Sequence, residues 1–272
     1  MIKKEKVIPF IKNALEEDIR EGDHSSIACT PNSKIGRAKL LIKENGIIAG
    51  VELAKWIFEY ITPSVKVKMH LKDGDLVKKG DIAFTVEGPS ISLLTGERLV
   101  LNCMQRMSAI ATKTNNYVKI LQGTKTTVLD TRKTTPGIRL FEKYAVKIGG
   151  GWNHRMDLSS GIMIKDNHIK AAGGIKKAID KIRKKEKQFR IELEVDYCEQ
   201  IEEGLKCSVD GFLLDNMRPE QIKKAVQIIK QKNKNIFVEA SGGITGKSLQ
   251  GYLKTGVDAI SMGEITHSAP NI

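Results

Sequence analysis

From about residue 125 onward, short β-rich runs alternate with helical stretches, and this rhythm constrains the fold more than any other feature of the chain. The runs are TTVLD (126–130), GIMIK (161–165), IELEV (191–195), GFLLD (211–215), NIFVEA (235–240) and DAISM (258–262). Between them lie amphipathic segments such as GGIKKAIDKIRKKEK, PEQIKKAVQIIKQK and GKSLQGYLKTG. Strand and helix in regular alternation predict a parallel sheet covered by helices. Six such units are too few for an eight-unit barrel, so an incomplete or open barrel and a doubly wound sheet both fit the pattern.

The polar residues favour the barrel. Nearly every run ends in one: Asp130-Thr131-Arg132-Lys133, Lys165-Asp166-Asn167-His168, Glu194 and Asp196, Asp215-Asn216, Ser241-Gly242-Gly243, and Met262-Gly263-Glu264. Barrel proteins gather their chemistry at the C-terminal ends of their strands, with phosphate loops after the last two. Glycines there let backbone N–H groups approach a phosphate closely.

The first hundred residues have another character. RAKLLIKE, VKVKMHLKDG and DIAFTVEGPS read as strands with turns at Gly74 and Gly80, and VELAKWIFEYI reads as a helix. SLLTGERLVLNCMQRMSAIATKTNNYVKIL reads as a long helical connector. The expected division is an N-terminal α/β domain over 1–105 and an α/β barrel over 106–264, with a tail, 265–272, that can pack with the first domain.

The densest chemistry lies in residues 130–169, which hold Arg132, Lys133, Arg139, His154, Arg155, Lys165 and His168. Arginine forks and lysine point charges converging on one pocket want a ligand with several negative charges; a basic surface patch is the plainer alternative. Glu194 and Asp215 face these cations from two strand ends. They suit sugar hydroxyls, a developing positive charge on a sugar, or Mg²⁺, or else they merely neutralise lysines. Glu192 and Asp196 share the face of Glu194 by period two. The two histidines read as ligand or hydrogen-bonding groups before they read as acid–base catalysts.

Net charge bears on the ligand. The chain carries 45 basic and 32 acidic residues, +13 in all, which alone would admit nucleic acid. The lysines are spread along helix faces and aromatics are only 5%, leaving bases little to stack on, so no nucleic-acid partner is expected. No apolar stretch has the length of a membrane span or signal peptide. Cys29, Cys103, Cys198 and Cys207 form no CxxC pair and read as free thiols of a reducing, cytoplasmic compartment. LKDGDLVKKGDIAF has the turn pattern of a carrier-domain hairpin without its modified-lysine tip, and reads as an ordinary β-turn.

Taken in order, Asp130 to Gly137, Gly149 to Arg155 and Lys165 to His168 closely resemble the quinolinate phosphoribosyltransferase family. So do Glu17-Asp18, Gly22-Asp23, Asn45-Gly46, Glu97-Arg98 through Asn102, Glu192 to Val195, Leu214 to Met217, Glu239 to Gly243 and the ending Gly263 to Ser268. The resemblance implies an N-terminal α/β sandwich joined to an incomplete α/β barrel, working as a homodimer or a larger assembly of dimers. It implies transfer of phosphoribosyl from phosphoribosyl pyrophosphate to quinolinate with loss of CO₂, giving nicotinate mononucleotide for NAD biosynthesis, with Mg²⁺ as cofactor.

Carried over by position, Arg98, Arg132, His154, Arg155 and Lys165 resemble the quinolinate-binding set, with Thr131 beside them and Lys133 shared between substrates. Glu194 and Asp215 resemble the ribose and Mg²⁺ carboxylates, and are named with Lys133 as catalytic. Ser241, Gly242 and Gly243, with Met262, Gly263 and Glu264, resemble the 5′-phosphate cradle. Lys43 stands where the family usually has an arginine that reaches into the neighbouring subunit, keeping the charge without the fork. Two neighbours compete: a related protein associated with molybdenum uptake, which Asn153-His154-Arg155 argues against, and nicotinate phosphoribosyltransferase, which CO₂ release would separate.

Overall fold

The computed structural model describes residues 2–270, so the last two residues of the expected tail lie outside it. The chain divides into two compact units. The first comprises residues up to Asn115 with Thr134–Gly150 and the residues from Ser268, and the second comprises Asn116–Lys133 and Gly151–His267. The 105/106 boundary read from the sequence falls inside a helix that continues from one unit into the other.

In the first unit, α1 (Lys4–Ile19) and α2 (His24–Cys29) precede strand β1 (Ile35–Leu41) and the short β2 (Gly46–Ile47). Helix α3 (Val51–Ile61) leads to β3 (Lys66–Met69), β4 (Leu76–Val77) and β5 (Ile82–Pro89), and then to α4 (Ser90–Ile120). The sheet has the order β1-β5-β3 with both pairings antiparallel, and β2 pairs with β4. Its core forms because α1 turns Val7, Ile11 and Leu15 inward while α3 buries Leu53, Ala54, Ile57 and Phe58. These are i, i+4 and i, i+3 spacings, the inward stripe of an amphipathic helix. Phe58 meets Phe84 of β5 edge-on, with ring centroids 6.3 Å apart.

Helix α5 (Arg139–Ile148) belongs to this unit, in a stretch the sequence analysis treated only as a source of cations. RLFEKYAVKI hides an amphipathic helix among those charges, with Phe141, Ala145 and Val146 buried. Phe10 packs on Phe141 at 4.6 Å between centroids, and Arg106 binds the fully buried Glu142 at 2.8 Å.

The second unit carries β6 (Thr127–Leu129), β7 (Ile162–Ile164), α6 (Asp166–Ala172), α7 (Ile175–Lys185), β8 (Ile191–Val195) and α8 (Cys198–Lys206). It continues with β9 (Gly211–Asp215), α9 (Pro219–Lys232), β10 (Phe237–Ser241), β11 (Ala259–Ser261) and α10 (Glu264–His267). All six predicted strands are present, paired in parallel in the order β6-β11-β10-β9-β8-β7. Last strand therefore meets first, and among the described residues the sheet's two unpaired edges are β6 and β7, with a seam between them. Trp152 lies along β6 at that seam: its N–H donates to Val128 O at 2.8 Å and its O accepts from Asp130 N at 3.2 Å.

The predicted helix over 246–256 shrinks to a single 3₁₀ turn, Leu249–Tyr252. Gly246, Gly251 and Gly256 each weaken a helix there, and Gly256 adopts φ +83°. Gly204 marks where α8 comes down on the sheet: a Cβ there would fall 2.7 Å from the Phe212 ring and 2.8 Å from Leu193. Gly204→Ala is expected to overpack this contact at a cost of about 2 kcal/mol. Thermal unfolding should show a midpoint lower by about 4–8 °C; an unchanged midpoint would mean that α8 simply slides away.

Candidate active site

Strand direction decides what the second unit can do. β8 alternates buried and half-buried residues, so Ile191, Leu193 and Val195 face the helices while Glu192 and Glu194 face inward. Parallel pairing sets Glu194 opposite Leu213 and Ser241 opposite Asp215, which brings the ends of β8, β9 and β10 to one rim. The turns after β6 and β7 reach the same rim with Lys133 and Lys165.

Electrostatics confirm which groups meet. Lys165 Nζ donates to Glu194 Oε2. Burial raises the Asp215 carboxyl above its ordinary value; Lys165 and Lys133 draw it back down and Asp196 adds to the rise. Asp215 thus lies within reach of the charges of both lysines. Lys133 is held by its backbone, its N–H donating to Thr131 Oγ1 at 3.0 Å and its O accepting from Thr266 Oγ1 at 2.7 Å. Its stem lies over Gly263, where a Cβ would come within 2.9 Å of Lys133 Cδ.

Arg155 occupies the seam. Its Nη1 donates to Gly161 O at 3.1 Å, and Nη2 lies 4.0 Å from Met163 Sδ. Burial and the neighbouring Arg132 guanidinium both lower its pKa, while Glu192 and Glu194 oppose them. Arg132 and Arg155 therefore stand as like charges near each other, an arrangement that favours an anion between them.

The loops after β10 and β11 are built for close backbone approach. Gly242 and Gly243 have φ of +91° and +59°, and Met262 N donates to Leu129 O at 3.0 Å. Glu264 accepts from Gly246 N at 3.1 Å and carries a hydrogen bond with Tyr117, so it ties the turn after β11 to the segment after β10.

His154 is a hydrogen-bonding group of the barrel interior. Its backbone N–H donates to the buried Asp130 at 2.9 Å, its Nδ1 accepts from Arg155 N at 2.7 Å, and its Nε2 faces Glu192 at 3.2 Å and Glu239 at 3.5 Å. Both ring nitrogens thus face protein groups. His168 Nδ1 accepts from Lys165 N at 3.0 Å, which steadies the start of α6. Arg98 is exposed on α4 and Lys43 is exposed after β1, both in the first unit, and Thr131 is half-buried.

Sequence reasoning missed Glu239 and the anchoring role of Asp130, each fully buried. A signal existed: Glu239 lies two residues before Ser241, so it shares the inward phase of a strand whose other neighbours are apolar.

An open parallel barrel with cations after its first two strands, carboxylates on the next two and glycine turns after the last two defines a class: a barrel protein equipped for phosphate-bearing, multiply anionic ligands. Comparison with known proteins narrows it. Residues 23–108 match the quinolinate phosphoribosyl transferase N-terminal domain, and residues 110–272 match its C-terminal domain. A Bacillus subtilis protein named probable nicotinate-nucleotide pyrophosphorylase [carboxylating] is 42% identical over 257 residues, covering 94% of this chain and 88% of that one. A mitochondrial quinolinate phosphoribosyltransferase [decarboxylating] of Nicotiana tabacum is 41% identical, over 95% of this chain and 78% of that one. The solved nicotinate-nucleotide pyrophosphorylase of Francisella tularensis superposes with a TM-score of 0.94 at 35% identity, covering 100% of this chain and 95% of that one. The chain belongs to the quinolinate phosphoribosyl transferase family.

Proposed function

We propose that this protein transfers phosphoribosyl from phosphoribosyl pyrophosphate to quinolinate and releases CO₂, yielding nicotinate mononucleotide for NAD biosynthesis. The observation that carries this reading is the meeting, at one barrel rim, of Lys133 and Lys165 with Glu194 and Asp215. A dicarboxylate acceptor needs the cations, and a ribosyl donor needs the carboxylates.

In this reading Arg132, Arg155 and Lys165 hold the two carboxylates of the acceptor, with Thr131 contributing. Ser241 to Gly243 and Met262 to Glu264 receive the 5′-phosphate. The pyridine nitrogen forms a bond to C1 of the ribose as the bond from C1 to pyrophosphate breaks, its electron pair leaving with pyrophosphate. Lys133 stabilises charge that develops between the two substrates, and Glu194 and Asp215 stabilise the oxocarbenium-like sugar. The quaternised ring then accepts the electron pair of the adjacent carbon–carboxylate bond, CO₂ departs, and that carbon takes a proton from water. No side chain has to remove a proton, which agrees with His154 having its ring nitrogens turned to protein groups.

Glu194 and Asp215 offer hard carboxylate oxygens of the kind Mg²⁺ takes, singly and with water retained, and these two residues would hold it. Bound there with the donor, the cation would neutralise charge on the departing pyrophosphate. The same reading has a homodimer in the cytoplasm, with Lys43 at the contact. Among the described residues no helix is long and apolar enough to cross a membrane.

The test is a coupled assay of purified protein with phosphoribosyl pyrophosphate and Mg²⁺, offering quinolinate and nicotinate separately. Equal amounts of CO₂ and nicotinate mononucleotide from quinolinate alone are expected. Product from nicotinate, or from neither, would overturn the reading.

A further inference from the structure

The inside of the parallel barrel holds a polar cluster that the proposed chemistry leaves unused. Glu239 points inward from β10 and is 0% exposed, and apart from the Ser261 hydroxyl neither of its carboxylate oxygens has a hydrogen-bond partner among the described residues. One oxygen lies 3.5 Å from His154 Nε2, and Glu192 Oε2 lies 3.2 Å from the same nitrogen. The groups that face Glu239 are Glu192 on β8, His154 before β7, Asp130 after β6 and the Ser261 hydroxyl on β11.

Counting protons resolves the cluster. His154 Nδ1 accepts from the Arg155 backbone N–H, so that nitrogen carries no proton and the ring is the neutral Nε2–H tautomer. One N–H then faces two carboxylates, Glu192 half-buried and Glu239 fully buried. It can serve one of them, and an ionised Glu239 left with a single hydroxyl for company is far costlier in the interior than a protonated one. The same count argues against a metal ion: with its proton on Nε2, the ring turns no lone pair toward the two acids, although a histidine with two glutamates suits a divalent cation by type.

We propose that Glu239 is a positioning residue: a carboxylic acid kept neutral inside the barrel, which with Glu192 locks the His154 tautomer and thereby the backbone that presents Arg155. Burial and the neighbouring Glu192 charge push its pKa up to about 8, as the proton count requires. The proposal rests on the reading of Arg155 as an acceptor-binding group only for its kinetic consequence.

The folded-state value lies above the ordinary carboxyl value of 4.5, so the folded protein keeps a proton that the unfolded chain has lost. Stability from this acid is whole below that ordinary value and falls away as pH climbs toward about 8. Glu239→Gln places a neutral amide in the same volume, with its oxygen toward His154 Nε2–H and its NH₂ toward Glu192. The variant should match the parent melting temperature at pH 5 and exceed it by on the order of 4 °C at pH 8. Its KM for the acceptor should stay flat to pH 8.5 while the parent's rises, with kcat alike in both. Glu239→Ala should raise acceptor KM at pH 7, and Glu239→Gln should not.

Parallel melting-temperature profiles for parent and Glu239→Gln would overturn the proposal. So would a tenfold rise in acceptor KM for Glu239→Gln at pH 7, or stoichiometric metal in the parent that the variant lacks. The melting arm needs no substrate, so it decides the proposal even if quinolinate proves not to be the acceptor.

Discussion

Arg155→Ala is expected to reduce kcat/KM for quinolinate by about 10²–10³-fold while leaving KM for the phosphoribosyl donor within about threefold. The magnitude follows from removing one partner of a charge-assisted pair at a half-buried guanidinium, which costs about 3–4 kcal/mol once the acceptor covers it. Arg155 stands near Arg132; burial and that like charge lower its pKa, while Glu192 and Glu194 oppose the shift. Without Arg155, an acceptor carboxylate would be left facing Glu192 and Glu194 with one fork in place of two. Arg155→Lys keeps the charge and loses the fork, so it should fall between, about tenfold below the parent. Initial rates with each substrate varied in turn check this, with melting temperature as a control on folding. An Arg155→Ala protein with parental acceptor KM and turnover would remove Arg155 from the site.

How far the placement of these residues at one rim was legible in the sequence, and where that legibility stopped, has one physical cause. A strand end and the turn after it are local in the chain, so Lys133, Lys165, Glu194, Asp215 and the two glycine turns could be read from alternation alone. Family resemblance then gave each position a role. Contacts made across the barrel depend on register between strands far apart in sequence. Glu239 meets His154 only because β10 pairs with β9 and β9 with β8, and because Trp152 lies along β6 to close the seam. Nothing in VEAS or WNHR alone announces that meeting. Helix α5 escaped for the opposite reason: its signal is local, but a run of cations drew the eye from the buried Phe141, Ala145 and Val146. The inward turn of the His154 ring and the bracing role of Glu264 are likewise matters of hydrogen-bond geometry, which residue type leaves open.

The turn after β10, proposed above to receive the 5′-phosphate, offers the second large effect, with a control beside it. At Gly242 the backbone holds φ +91°, and an added Cβ would strike the Asn216 backbone nitrogen at 2.5 Å as well as its side chain. Asn216 has little freedom to yield: its N–H donates to Ser241 O at 3.0 Å, its amide donates to Asp215 Oδ2 at 2.6 Å, and it already sits at φ +54°. Gly242→Ala must therefore displace the turn, and any shift of Asn216 moves Asp215 with it. Strain at positive φ costs about 1–2 kcal/mol and overpacking about 1–3 kcal/mol, so donor KM should rise about 10²-fold. Because Asp215 is disturbed, kcat should fall as well. At Gly243 a Cβ would meet nothing within 4 Å, and φ is +59°, inside the left-handed region that other residues visit. Gly243→Ala should therefore cost less than about tenfold in donor KM and spare kcat. Steady-state kinetics on the two variants, with donor varied at saturating acceptor, measure the contrast. Equal effects at both positions would mean that the phosphate contacts the Gly243 face of the turn directly, and that the close packing of Gly242 on Asn216 does not set the turn's shape.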